Sequence, residues 1–228
     1  MGQQVQLKAS DGFSLGGYRA DAPRESNGGK PKGALVVIQE IFGVNHHMRN
    51  VCDRFAALGY TALAPAIFDR AQRDVELGYD KAGVDEGVKL RAAIKLEDTL
   101  KDVQAATDAL QSVGRVGIIG YCWGGSLAFI GAARLSGLAC AVGYYGGMIA
   151  AHANEKPKVP TILIFGEQDH GIPMADVEKV KAARPEVKVH VYPAGHGFAC
   201  DERPSYDKAS TDKAQDVTLA FLRQNLEN

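Results

Sequence analysis

Residues 116–119 are an apolar run, Val116-Gly117-Ile118-Ile119, and they lead into Gly120-Tyr121-Cys122-Trp123-Gly124-Gly125-Ser126-Leu127. A strand that ends on Gly-x-Cys-x-Gly and passes straight into helix-forming residues constrains the fold more than any other stretch. Such a turn lifts one side chain, that of Cys122, above the end of the strand. Glycines are needed on either side wherever a Cβ would clash with nearby backbone. The plainer reading is a Gly-rich bend that carries a buried structural cysteine. What the rest of the chain delivers to the same place decides between them.

The pattern around this step repeats. Residues 34–38, Ala34-Leu35-Val36-Val37-Ile38, are continuously apolar, as expected of a strand covered on both faces, and they deliver Gln39-Glu40-Ile41-Phe42-Gly43 to its C-terminal end. Ligands bind at that end in open α/β sheets. Residues 5–7 and 13–18, around Ser10-Asp11-Gly12, suit an antiparallel hairpin at a sheet edge, and 23–33 reads as an exposed polar loop. Helices are expected at 46–58, 87–110, 123–135, 174–183 and 208–226, and further strands at 61–63, 139–144, 161–165 and 187–191. Residues 65–85 resist assignment and read as an irregular rim over the site. Strands alternating with helices imply one domain, 1–228, with a three-layer α/β architecture: a mostly parallel central sheet and helices on both faces. A chain of 228 residues with 46% hydrophobic content can build such a core.

The formal charge of −1, from 26 basic and 27 acidic residues, provides no field for nucleic acid or an anionic membrane. No apolar run is long enough to span a bilayer and no signal peptide is indicated, so a cytoplasmic location is expected. Cys52, Cys122, Cys140 and Cys200 lack the close pairing of a zinc site and are expected as free thiols, with no metal and no cofactor. His46 and His47 point in different directions on a helix, make a poor metal pair and are expected in a loop or facing solvent.

A nucleophilic thiol needs a base and a group to orient the base. Asp169, in Gly166-Glu167-Gln168-Asp169, and His196, in Gly195-His196-Gly197-Phe198, each follow a strand of their own, in the chain order nucleophile, acid, His. Either alone would read as a turn former or a solvated loop residue. The thiolate is the reactive form of cysteine, and the amides at the start of the helix opening at Trp123, together with His196, would favour it. The oxyanion hole would take the N–H of Trp123 and one from the loop after the first long strand, where Ile41 is the match.

Together, Gln39-Glu40-Ile41-Phe42-Gly43, Gly120-Tyr121-Cys122-Trp123-Gly124-Gly125, the Gly166 to Asp169 turn and Gly195-His196-Gly197-Phe198 resemble the dienelactone hydrolases, of the α/β-hydrolase fold, along nearly the whole chain. The resemblance implies a Cys-His-Asp hydrolase that opens an unsaturated lactone, in aromatic degradation, through an acyl-enzyme. It also implies a role for Glu40 as a switch that holds a resting thiol and takes up its proton on substrate binding. The plainer alternative for Glu40 is a partly buried carboxylate paired with an arginine. An anionic substrate would need a cationic clamp, for which Arg70 and Arg203 are the candidates, although Cys200 and Asp201 occupy positions nearer to His196 than Arg203 does. Tyr79, Tyr144, Tyr145 and Phe198 are candidate pocket walls. The partner would be a small ester or lactone, with the chain a monomer or weak homodimer. The alternatives are a thiol-based redox sensor or binding protein on the same scaffold, or a thioesterase or esterase of another substrate class.

Overall fold

The computed structural model describes residues 2–23 and 30–227, so most of the polar loop expected at 23–33 lies outside the described residues. Eight strands form one sheet: β1 (Gln3–Lys8), β2 (Ser14–Ala20), β3 (Gly33–Ile38), β4 (Tyr60–Pro65), β5 (Val116–Tyr121), β6 (Leu138–Tyr144), β7 (Thr161–Gly166) and β8 (Lys188–Tyr192). Their spatial order is β1-β2-β4-β3-β5-β6-β7-β8. Pairs β1–β2 and β2–β4 are antiparallel, which places the expected hairpin at one edge; every other pair is parallel.

Side chains on the central strands alternate between two cores, as the two-residue period of a strand requires. On β3, Leu35 and Val37 face one core, and Ala34, Val36 and Ile38 the other. The first core is covered by α1 (His46–Ala57), through Met48, Val51 and Phe55, and by α6 (Lys208–Leu226), through Ala214 and Leu222. The second is covered by α3 (Leu96–Leu110), through Val103, Ala106 and Leu110, and by Leu127, Ala128 and Ala132 of α4 (Trp123–Arg134). With α2 (Lys81–Ala92) and α5 (Met174–Ala183), the three-layer arrangement is complete.

Two expectations are corrected. The single helix at 87–110 is two: α2 ends at Ala92 with Ala93 as its C-cap, and α3 begins at Leu96 after Lys95 turns extended at φ −75° and ψ 142°. The two leucines on either side of the break face different cores, Leu90 the second and Leu100 the first. The stretch 65–85 is not wholly irregular, since it holds a 3₁₀ turn at Ile67–Arg70 and the start of α2, and Glu76 bridges to Gly43 beside the strand end.

Candidate active site

Residues β5, Cys122 and α4 form a sharp strand-to-helix turn. Cys122 has φ 55° and ψ −115°, a conformation that L-residues rarely adopt. The turn is held from three sides: Cys122 N donates to Tyr144 O (3.0 Å), Gly124 N to Gln39 O (3.1 Å) and Ser126 N to Cys122 O (3.2 Å). Glycine is required where the strand ends crowd the helix: a Cβ at Gly124 would lie 2.4 Å from Ile38 O, and one at Gly125 would lie 2.2 Å from Tyr144 O. Of the four free cysteines, Cys52, Cys140 and Cys200 are buried, and Cys122 alone is partly exposed.

Cys122 is the residue before the first turn of α4, and no side chain caps that end. Among the described residues the Trp123 and Ile41 amides have no protein acceptor. Both are therefore open, and that of Trp123, next to Cys122, stands at the positive end of the α4 dipole.

Asp169 and His196 arrive from the ends of β7 and β8. Asp169 is 5% exposed; its Oδ1 accepts from Gly171 N (2.8 Å) and its Oδ2 lies 2.7 Å from His196 Nδ1. His196 also interacts with Cys122. With Nδ1 turned to Asp169, Nε2 is left for the sulfur. Burial pushes the imidazole pKa down, but the hydrogen bond that Asp169 accepts and the interaction with Cys122 outweigh it and raise the pKa to about 10. The three residues expected to act together are thus in contact, in the expected order.

Glu40 is 2% exposed, and its Oε1 accepts from Arg203 Nη1 at 3.0 Å, while Oε2 has no partner among the described residues. The pairing with an arginine is the plainer of the two alternatives, and it joins both residues to the site. The Arg203 guanidinium stacks over Phe42 (5.5 Å to the centroid) and Tyr79 (5.8 Å). It also lies against Gly197, at φ +75°, where a Cβ would come within 2.4 Å of Arg203 Nη1. Arg203 therefore braces the loop that carries His196. Burial opposes its charge, but Glu40 prevails and raises its pKa.

Other expected residues sit elsewhere. Arg70 does not reach this group: its Nε and Nη2 donate to Asp102 on α3 (2.7 Å each) and Nη1 pairs with Asp11 (3.0 Å). Tyr144 and Phe198 are buried in an aromatic core with Tyr145 and Tyr192, and the Tyr144 hydroxyl bonds Thr218 on α6 (2.7 Å). Neither is a pocket wall at the sulfur. Tyr79 does reach the site, edge-on to Phe42, and accepts a hydrogen bond from Asn45 (3.1 Å). His47 is not solvated. It is 1% exposed beside Asp201 Oδ1 (3.0 Å), and burial lowers its pKa, whereas His46, 100° round the helix, is exposed.

Tyr145, expected as a pocket wall, has φ 35°, a buried hydroxyl with no partner among the described residues, and a ring 5.1 Å from that of His196. Sequence reasoning missed one feature. His47, Asp201 and Arg54 form a second polar group behind Glu40, from positions up to 154 residues apart that no local pattern links. Among the described residues no cluster of His, Cys, Asp and Glu could hold a metal ion, and no helix is long and apolar enough to cross a membrane.

Residues 20–226 match the dienelactone hydrolase family. Over 208 residues the chain is 38% identical to a protein of Synechocystis sp. provisionally named a carboxymethylenebutenolidase, a match that covers 82% of this chain and 84% of the relative. It is 31% identical over 229 residues to the carboxymethylenebutenolidase of Pseudomonas putida, covering 96% and 94% of the two chains. A crystal structure from Klebsiella pneumoniae, provisionally called a dienelactone hydrolase, superposes with a TM-score of 0.83 at 27% identity, over 97% of this chain and 99% of that one.

Proposed function

We propose that this chain, which belongs to the dienelactone hydrolase family and is a hydrolase of ester bonds on an α/β-hydrolase fold, opens an activated lactone through a thioester on Cys122. The observation that carries the reading is the continuous contact from Asp169 through His196 to the one partly exposed thiol. Cys122 Sγ attacks the lactone carbonyl as His196 holds the thiol proton, and the oxygen that becomes negative faces the Trp123 and Ile41 amides. Collapse breaks the ring C–O bond, and the departing oxygen takes the proton from the imidazolium. His196 then removes a proton from water as it attacks the thioester, the C–S bond breaks and the thiolate returns.

A thiolate is a better leaving group than an alkoxide. An ordinary alkyl ester adduct would therefore collapse backwards, whereas an enol oxygen leaves as a stabilised enolate, and this favours enol lactones as substrates. Glu40 holds Arg203 and keeps one carboxylate oxygen unpaired within the site, which suits a proton acceptor during substrate binding. The test is turnover of an enol lactone by the intact protein and by Cys122→Ala. Loss of turnover by at least about 10³-fold is expected for removal of a nucleophile; comparable rates in the two proteins would refute the mechanism.

A further inference from the structure

Residues 197–203 fold into two successive turns. Cys200 N donates to Gly197 O and Arg203 N to Cys200 O, at 3.1 Å each, so Asp201 and Glu202 are the central residues of the second turn. Arg203 then folds back: its guanidinium lies against Gly197, the residue after His196, and donates to Glu40 Oε1 at 3.0 Å. One guanidinium thus joins the loop carrying His196 to Glu40. Its place depends on where the second turn is held.

Helix α1 holds that turn. His47 Nδ1 lies 3.0 Å from Asp201 Oδ1, Arg54 Nη1 donates to Asp201 Oδ2 at 3.2 Å, and His46 Nδ1 lies 2.6 Å from Glu202 Oε1. His46 and Arg54 are exposed, and pairs made by exposed side chains fix geometry weakly. His47 is different. It is buried, on the inward face of α1 with Met48, Val51 and Phe55. An apolar residue would pack there without the cost of burying an imidazole, so packing alone gives no reason for the ring. The contact with Asp201 does. Burial opposes the charge of Asp201, but Arg54 and His47 prevail and hold its pKa below the ordinary carboxylate value. A carboxylate only accepts, so His47 Nδ1 carries the hydrogen and donates it.

We propose that His47 is a positioning residue of the reaction: through Asp201 it fixes the 200–203 turn, and with it the guanidinium that joins Glu40 to the loop carrying His196. The inference rests on Cys122 being the nucleophile and His196 its base. Three variants separate positioning from folding. His47→Leu removes the donor, Asp201→Ala removes the acceptor at a half-exposed position outside both cores, and His47→Asn keeps an N–H in place of Nδ1. On rapid mixing with an enol lactone, the first-order rate constant for forming the Cys122 adduct falls about 10- to 100-fold in His47→Leu and in Asp201→Ala, the scale of a small misplacement of reacting groups. The double variant loses no more than either single one, because both changes break the same contact. His47→Asn recovers part of the loss. Lost stability alone would lower the amount of adduct and leave the rate constant unchanged. A rate constant within about twofold of the intact value in either His47→Leu or Asp201→Ala overturns the proposal.

The His196 ring supplies a second readout, independent of the thioester. Burial lowers its pKa, and Asp169 and Cys122 raise it past that to about 10. In Asp201→Ala the loop loses its anchor and those contacts loosen, so the ring protons, followed by NMR, should titrate at least about one pH unit lower. An unmoved titration also overturns the proposal. If the intact protein forms no adduct on Cys122, the nucleophile assignment fails, and the His196 titration still decides the role of His47.

Discussion

Cys122 is held at φ 55° by contacts from three neighbouring segments, which offset about 1–3 kcal/mol of local strain. Such a conformation survives only where its surroundings leave no alternative. Gly124 is one of those constraints, so Gly124→Ala, which sets a Cβ 2.4 Å from Ile38 O, is expected to lower stability by at least about 2 kcal/mol, read from urea unfolding. The imidazole offers a finer test. With its pKa raised to about 10 by Asp169 and Cys122 against the effect of burial, His196 should remain protonated at pH 8. Its ring protons, followed by NMR, should titrate markedly lower in Asp169→Asn and in Cys122→Ala. The sign for stability follows: the contribution of this group is fully present below its unfolded pKa, near 6.5, and is lost as pH rises from there through about 10. Asp169→Asn should also cost about 10²- to 10⁴-fold in kcat, because the imidazole loses the partner that fixes its tautomer.

At the scale of elements, each catalytic candidate stands at the C-terminal end of a parallel strand, and this is why that part of the site was legible. Cys122, Asp169 and His196 follow β5, β7 and β8, apolar runs that a strand period identifies and a parallel sheet then aligns. Arg70 misled because its true partner, Asp102, lies within α3, where an acidic residue reads as a solvated helix face. The break between α2 and α3 went unseen because neither Gly nor Pro marks it. His47 is buried because the 100° step between adjacent helix positions turns it inward where His46 faces out. Asn45 ties two elements together, capping α1 through Met48 N and donating to Tyr79 and Leu77 O. Asn45→Ala is expected to cost about 1–2 kcal/mol, the upper range for a lost cap, and to loosen the rim around Tyr79, seen as faster amide exchange at residues 75–79.

Across the whole molecule, two polar groups tie the loop carrying His196 to other elements. Glu40 with Arg203, and His47 with Asp201 and Arg54, join the loop carrying His196 to the elements on its far side. Burial lowers the pKa of His47 and outweighs the pull of Glu40 and Asp201. A histidine whose folded pKa is depressed contributes stability above its unfolded pKa, near 6.5, and that stability is lost as pH falls. The melting temperature of His47→Gln should therefore fall less between pH 6.5 and 5 than that of the intact protein, measured by calorimetry in matched buffers.

The thioester is the centre of the whole account, and it can be weighed directly. Rapid mixing with an enol lactone, acid quench within the first turnovers and intact-mass measurement should give a species heavier than the protein by the full mass of the lactone. Peptide mapping should place that mass on Cys122, and Cys122→Ala should lack it. Hydrolysis that proceeds with no such adduct on Cys122, or an adduct on another residue, would contradict the mechanism.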